Sequence, residues 1–330
     1  MKQQLNEETL ISIIIPSYNR ADTVGQTIES ILAQKMNADI EIVIGDDCST
    51  DNAREVLLKY KEQYPQTVRL IFHERNIGLG ANWATCVKEC RGKYICNCDN
   101  DDYWHNPDKL QLQLDYMEAH PESNVLFTDY RDMYRDTGDV IERKAIINRE
   151  RPLQDVIWSG DKTILSNATV MYRADFLKEH INLDEWIEWK PSLQDWNAWV
   201  ILAAYTDFDL LHVSTATMCL ENHSITRPES VEKLAQRYEK DKHVCRYIGL
   251  LFPEKFPYNE KDWNRYAAGR LLAKAYHLND WPNANKYAKQ NPAGVSKIKI
   301  FCAKNRLLFN ILCFAKEIRI WLAKNINFTS

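Results

Sequence analysis

Ile11-Ser-Ile-Ile-Ile15 runs directly into Pro16-Ser-Tyr-Asn-Arg20. The first five residues are β-branched and apolar apart from Ser12. Such a run fits a strand buried on both faces, as in a parallel sheet, and Pro16 is expected to end it. Residues 22–34 then place Val24, Ile28, Ile31 and Leu32 at helical spacing. Ile40-Glu-Ile-Val-Ile44 is a second strand, broken by Gly45 and Asp46. A helix is predicted over 52–64, a strand over 68–72, a helix over 79–90 and a strand over 94–98. This alternation predicts an α/β fold, a mostly parallel sheet flanked by helices.

In such sheets a ligand sits beyond the carboxyl ends of the strands. Three of those ends are polar: Pro16-Ser-Tyr-Asn-Arg20, Asp46-Asp-Cys-Ser-Thr-Asp51 and Asp99-Asn-Asp-Asp102. The topology, not their spacing, would bring them to one rim. The first turn lacks G-x-G-x-x-G and no P-loop is present, which counts against a nicotinamide dehydrogenase. Hard divalent cations prefer carboxylate oxygen, and Mg2+ usually takes one or two carboxylates together with phosphates. Asp99, Asp101 and Asp102 therefore suit a cation and diphosphate site, and a solvated acidic turn is the competing reading. Ser49, Thr50 or Asp51 can cap the following helix, but capping does not account for Asp46 and Asp47. A carboxylate there can accept from a ribose hydroxyl or a nucleobase imide N–H, such as that of uracil.

The 330 residues allow one large domain or two moderate ones. A net charge of −4 gives no bulk attraction to nucleic acid. No stretch reaches the roughly 18 apolar residues of a spanning helix, which excludes a polytopic membrane protein. Residues 1–8 are polar and no secretory signal is read there. The nine cysteines are thus expected to be reduced, in a cytosolic compartment. Cys86, Cys90, Cys96 and Cys98 do not have a usual zinc spacing, and buried thiols are the favoured reading.

Beyond residue 103 the alternation weakens. A helix is read over 109–120, a strand over 124–130, an irregular stretch or hairpin over 131–151 and a strand over 168–172. A Trp-rich helix over 193–205 and one or two strands over 208–220 follow. From 228 the pattern is helical, with Pro253, Pro257, Pro282 and Pro292 as breaks. A domain boundary is placed near 225.

Five motifs in order resemble the glycosyltransferases of family 2. They are Ile13-Ile-Ile-Pro-Ser-Tyr-Asn-Arg20, Glu41-Ile-Val-Ile-Gly-Asp-Asp-Cys-Ser-Thr-Asp51, Arg75-Asn-Ile-Gly-Leu-Gly80, Gly92-Lys-Tyr-Ile-Cys-Asn-Cys-Asp-Asn-Asp-Asp102 and Pro107-Asp-Lys-Leu110. The resemblance covers roughly residues 10–225 and implies the GT-A fold, a Rossmann-like sheet flanked by helices. It implies a catalytic domain at 1–225, with a nucleotide-sugar half at about 10–105 and an acceptor half at about 106–225. A helical C-terminal region at 226–330 would follow. The implied enzyme is an inverting hexosyltransferase of bacterial polysaccharide type. It would move a sugar from a nucleotide donor, with a UDP-sugar expected, to a hydroxyl of a saccharide or polyprenyl-linked acceptor.

The same resemblance implies residue roles. Pro16, Ser17, Tyr18 and Arg20 would line the nucleotide pocket. Asp46 would contact the base, with Asp47 beside it. Asn76 and Gly78 would shape the pocket, a simple turn being the alternative. Asp99 and Asn100 would touch the ribose and donor, and Asp101 would bind Mg2+ or Mn2+. His223, in Leu220-Glu-Asn-His-Ser-Ile225, is the second metal-ligand candidate. The family's Glu-Asp pair corresponds to Gln194-Asp195, so Asp195 takes the place of the catalytic base while Gln194 departs from the pattern. Losing that neighbouring charge should make Asp195 easier to ionise; an N-cap is its alternative role. Trp186 and Trp189 are acceptor candidates, whereas Trp196 and Trp199 at i, i+3 read as core. A sugar nucleotidyltransferase would need a Gly-rich basic loop after the first strand, which is absent. A non-catalytic nucleotide-sugar or carbohydrate-binding module is left open by Gln194.

Residues 297–324 hold seven Lys or Arg and one acid, Glu317. Leu307, Ile311, Phe314, Ile318 and Leu322 fall on one helical stripe. A basic amphipathic segment over 297–325 suits an anionic membrane surface, which would make a cytoplasmic protein peripheral on the inner face of the cell membrane. The alternative is a helix packed on the catalytic domain or on a partner.

Overall fold

The computed structural model describes residues 10–149, 164–191, 193–220 and 229–325. The chain forms two compact units, 1–222 and 223–330.

In the first unit β1 (Ile11–Ser17), β2 (Ile40–Asp46), β3 (Val68–Phe72) and β4 (Tyr94–Asn97) are parallel, in the order β3-β2-β1-β4. Every residue of β1 is buried, as an apolar run inside a covered sheet requires. Between the strands run α1 (Val24–Leu32), α2 (Ala53–Gln63) and α3 (Leu79–Glu89). Ile28 and Ile31 of α1 and Leu57 of α2 join Ile13, Ile15, Ile42 and Ile44 in one core. Pro16 does not end β1. It pairs with Gly45 on the β2 side, while the ladder to β4 stops at Ile14, so no bond to β4 is lost through its missing N–H.

The parallel arrangement belongs to these four strands, and the sheet is mixed beyond β4. β5 (Tyr103–Trp104), β6 (Val125–Tyr134), β7 (Val140–Arg143), β8 (Met171–Arg173) and β9 (Asp209–Leu220) complete the order β3-β2-β1-β4-β8-β6-β9-β5, with β7 on β6. β6 and β7 form an antiparallel hairpin, the only pairing so short a connection permits. β9 is one strand, with a register shift opposite Thr128–Tyr130. The helices here are α4 (Lys109–Ala119), α5 (Ala174–His180), α6 (Leu183–Trp189) and α7 (Gln194–Leu202). α5 and α6 are too short to show a helical period in sequence.

The second unit is helical: α8 (Val231–Leu251), α9 (Glu260–His277), α10 (Trp281–Ala288), α11 (Lys297–Ala303) and α12 (Arg306–Asn325). Leu234, Tyr238, Leu272, Tyr276 and Phe309 share its core. Pro282 does not break a helix. It lies in the first turn of α10, where the proline costs no intrahelical bond, and Asp280 caps that turn through the Asn283 N–H. No described helix is long and apolar enough to cross a membrane. All nine cysteines are free thiols.

Candidate active site

The chain order reverses between β1 and β4, so the crevice of an open α/β sheet falls at their carboxyl ends. The acidic turn follows β4 there. Asn100 Nδ2 donates to Ser17 Oγ at 3.2 Å. Thr23 Oγ1 donates to the Asn100 carbonyl at 2.8 Å, and Thr27 Oγ1 to the Asp102 carbonyl at 2.7 Å. The start of α1 thereby fixes the turn's backbone. Arg20 Nη2 stands 3.2 Å from Asp101 Oδ2, and Arg135 Nη2 donates to the Asp101 carbonyl at 2.8 Å. Asp102 is buried and accepts from the Cys219 N–H at 2.8 Å, so it ties the turn to β9.

Asp99 and Asp102 share the charge field of the site, and burial with like charges raises both carboxyls. Removal from water lifts the Asp99 carboxyl to about 7. The like charges of Asp101 and Asp195 add to that, and a hydrogen bond from Asn167 works against it. Asp195 therefore lies within electrostatic reach of a turn far away in sequence. Asn167 begins a single 3₁₀ turn, Asn167–Thr169. Its Nδ2 donates to both Asp99 oxygens, its Oδ1 accepts from Asn97 Nδ2 at 2.8 Å, and Asn97 Oδ1 accepts from Trp83 Nε1 at 3.3 Å. Sequence reasoning missed Asn167. Its only signal there is a polar pair, Ser166-Asn167, ahead of a predicted strand.

At the end of β2, Asp46 is buried. Its Oδ2 accepts from Arg54 Nε at 2.6 Å and from the Ser49 N–H at 3.3 Å. Its Oδ1 is buried with no hydrogen-bond partner, a costly state that a ligand N–H would relieve. Asp47 has a structural part beside Asp46. Its two oxygens accept from the Ile77 N–H at 2.6 Å and the Gly78 N–H at 2.9 Å, so it clamps the loop that carries exposed Asn76. Gly78 has φ 91, where a side chain would strain. The N-cap of α2 is Asn52, not Ser49, Thr50 or Asp51, which bond to the 17–21 loop. Asn19 Oδ1 accepts from the Thr50 N–H at 2.7 Å, and the Asn19 and Ala21 N–H groups donate to Ser49 Oγ and Asp51 Oδ2, each at 2.9 Å. These bonds hold the 17–21 loop, with Tyr18 exposed on the rim and Pro16 and Ser17 buried beneath it.

Asp195 is in the first turn of α7 and accepts from the Trp196 N–H at 2.8 Å. The N-cap is Leu193, so the capping alternative for Asp195 does not hold. The approach to α7 rests on α3, where a Cβ on Gly80 would stand 2.5 Å from the Pro191 carbonyl oxygen. Trp186 is not an acceptor platform. It is 1% exposed, with its ring 6.0 Å from that of Trp83. Trp189 is half-buried. Trp199 is core, its Nε1 donating to Tyr172 OH at 2.9 Å.

His223 lies outside the described residues. Cys86, Cys90, Cys96 and Cys98 are all buried, and burial pushes the Cys96 thiol up to about 11 and the Cys90 thiol to about 12. Among the described residues no cluster of three or more His, Cys, Asp or Glu is arranged to hold a metal ion.

Residues 12–181 match the model of glycosyl transferase family 2. An uncharacterized protein of Mycobacterium tuberculosis is 36% identical over 126 residues, which is 38% of this chain and 36% of that one. The putative teichuronic acid biosynthesis glycosyltransferase TuaG of Bacillus subtilis is 34% identical over 131 residues, 40% of this chain and 50% of TuaG. The matched stretch thus spans half or less of these relatives. Among solved structures, S. aureus TarS 1-349 in complex with UDP superposes with a TM-score of 0.55 at 18% identity, covering 91% of this chain and 88% of that one. A parallel β1–β4 sheet with an acidic turn at its switch point, a mixed second half and the family match together lead to one conclusion: the chain belongs to glycosyl transferase family 2 and has its GT-A fold.

Proposed function

We propose that the chain is an inverting glycosyltransferase that moves a sugar from a UDP-sugar to a hydroxyl of a saccharide or lipid-linked saccharide. The observation that carries this is the acidic turn 99–102 at the carboxyl end of β4, beside β1, whose Asp99 feels the charges of both Asp101 and Asp195. The unpartnered Asp46 oxygen at the end of β2 supports the choice of base, since an imide N–H such as that of uracil would satisfy it.

Asp99 and Asp101 offer hard carboxylate oxygens, the chemistry that Mg2+ or Mn2+ takes together with phosphates, and the repulsion from Asp101 adds to the burial that drives Asp99 upward. Asp101 would hold the cation with Asp99 beside it, and His223 is a further candidate ligand. When bound, the cation supplies charge stabilisation to the departing diphosphate. Arg20, already on Asp101, adds a second positive charge at the same place. Ser17 and Asn100, bonded to each other, face the ribose with Pro16 and Tyr18, and Asn76 closes the pocket. Asp195 accepts the proton of the acceptor hydroxyl as its oxygen bonds to the anomeric carbon and the bond to the diphosphate breaks. One base and one displacement invert the configuration. Trp189 lies on the acceptor side. The catalytic domain is 1–225, followed by the helical region 226–330. The name of TuaG, a putative teichuronic acid biosynthesis glycosyltransferase, supports a saccharide acceptor.

Thermal-shift measurements with a panel of nucleotide sugars, with and without Mn2+, test this. A metal-dependent rise with a UDP-sugar is expected, and it should vanish in Asp101→Ala. No rise with any donor would overturn the proposal.

A further inference from the structure

The two C-terminal helices have an inner and an outer face. Inward, Phe309 and Cys313 of α12 and Ala303 of α11 are buried, with the Phe309 ring 4.6 Å from that of Tyr276. Outward, Leu307, Ile311 and Phe314 of α12 and Ile298 and Phe301 of α11 are between 55% and 69% exposed. The i, i+4, i+7 spacing of the first three and the i, i+3 spacing of the other two put each set on one helix face. The helix thus packs on its own unit and still leaves the apolar stripe uncovered.

Along residues 297–316, which carry that stripe, the charge is of one sign. Lys297, Lys299, Lys304, Arg306 and Lys316 are exposed, and residues 297–316 contain no acid, in a chain whose net charge is −4. We infer that this face docks on a lipid surface with anionic headgroups. The apolar side chains enter the acyl boundary and the Lys and Arg side chains stay at the headgroups. A second copy is disfavoured, because a symmetric contact through this face would set cations against cations. The inference is independent of the donor assignment.

Co-sedimentation of the full chain with phosphatidylcholine vesicles, with and without phosphatidylglycerol, tests it. Sedimentation should require phosphatidylglycerol and weaken with salt. A Leu307→Ser, Ile311→Ser, Phe314→Ser variant should lose at least about tenfold in vesicle affinity. Because apolar replacements can disturb folding, a second variant changes only exposed charges: Lys297, Lys299 and Lys304 each to Ala, at about fivefold per residue. Donor-induced thermal shift should be unchanged in both, which separates this result from the fate of the proposed activity. Equal sedimentation with and without phosphatidylglycerol, or by wild type and variants, would overturn the inference. So would a dimer in light scattering that the Ser variant converts to monomer.

Discussion

Asn167 donates through one amide nitrogen to both carboxylate oxygens of Asp99, at 3.1 and 3.2 Å. The amide is itself oriented by Asn97, which is oriented by Trp83 in the core. Packing around an indole thus determines where a carboxylate at the rim points.

Replacing Asn167 with Ala should therefore act through Asp99. A hydrogen bond to a charged group is worth about 1.5–3 kcal/mol, so kcat/KM for the donor should fall roughly 10- to 100-fold. Steady-state kinetics of the variant check this, with Asn167→Gln as partial rescue. Unchanged kcat/KM in Asn167→Ala would remove Asn167 from the site.

Asp195 and Asp101 should separate chemistry from binding. Asp195→Asn keeps shape and removes the proposed base, so kcat should drop by about 10²–10⁴-fold. Donor affinity should persist, because one charge that repels Asp99 is gone. Asp101→Ala should instead abolish metal-dependent donor binding. Calorimetric titration beside turnover assays distinguishes the two, and normal turnover in Asp195→Asn would assign the base elsewhere.

Glu41 should shape the acid limb of stability. It is buried in β2 and accepts from Ser12 Oγ at 2.6 Å, the Arg91 N–H at 2.7 Å, Arg91 Nε at 2.9 Å and Arg69 Nη1 at 3.1 Å. Burial alone would raise its carboxyl, but these bonds outweigh it and hold the group below its ordinary value of 4.5. A carboxyl depressed in the folded state stabilises the fold above the unfolded value. That contribution is lost as pH falls through the folded value. Glu41→Gln should cost about 1.5–3 kcal/mol near neutrality and flatten the decline below 4.5. Urea denaturation across pH reads both effects.

Gly80→Ala should push Pro191 away from α3, because the new Cβ would stand 2.5 Å from a backbone oxygen that has little room to yield. Overpacking of this kind costs about 1–3 kcal/mol. The displaced segment leads into α7, so kcat should fall more than donor affinity. A variant with wild-type kcat would show that α7 is held by other contacts.

The first four strands were legible because each is a short apolar run ended by turn residues and followed by a helical period. Ile11–Ile15 and Ile40–Ile44 left little choice, and the polar strand ends then located the rim. Pro16 was misplaced because its tolerance depends on where the neighbouring strand stops, which is a pairing fact. Asp47 shows the same limit, since nothing in its sequence position announces the backbone N–H groups thirty residues away that its oxygens accept from. Trp186 looked like a sugar platform by composition and proved to be core, because α6 packs it on Trp83. Asn167 was invisible, since its role exists only once β4 and the turn before β8 are adjacent.

The holders of the acidic turn have a consequence for chimera design. Arg135, Asn167 and Cys219 all belong to the half of the sheet that begins after the turn, and each bonds directly to Asp101, Asp99 or Asp102. Residues 10–105, the half proposed to hold the nucleotide, are therefore not a cassette that can be cut out at residue 105 and grafted onto another chain. A working graft must import the tip of β6, the turn before β8 and the end of β9 together, or supply the same three donors from its new neighbour.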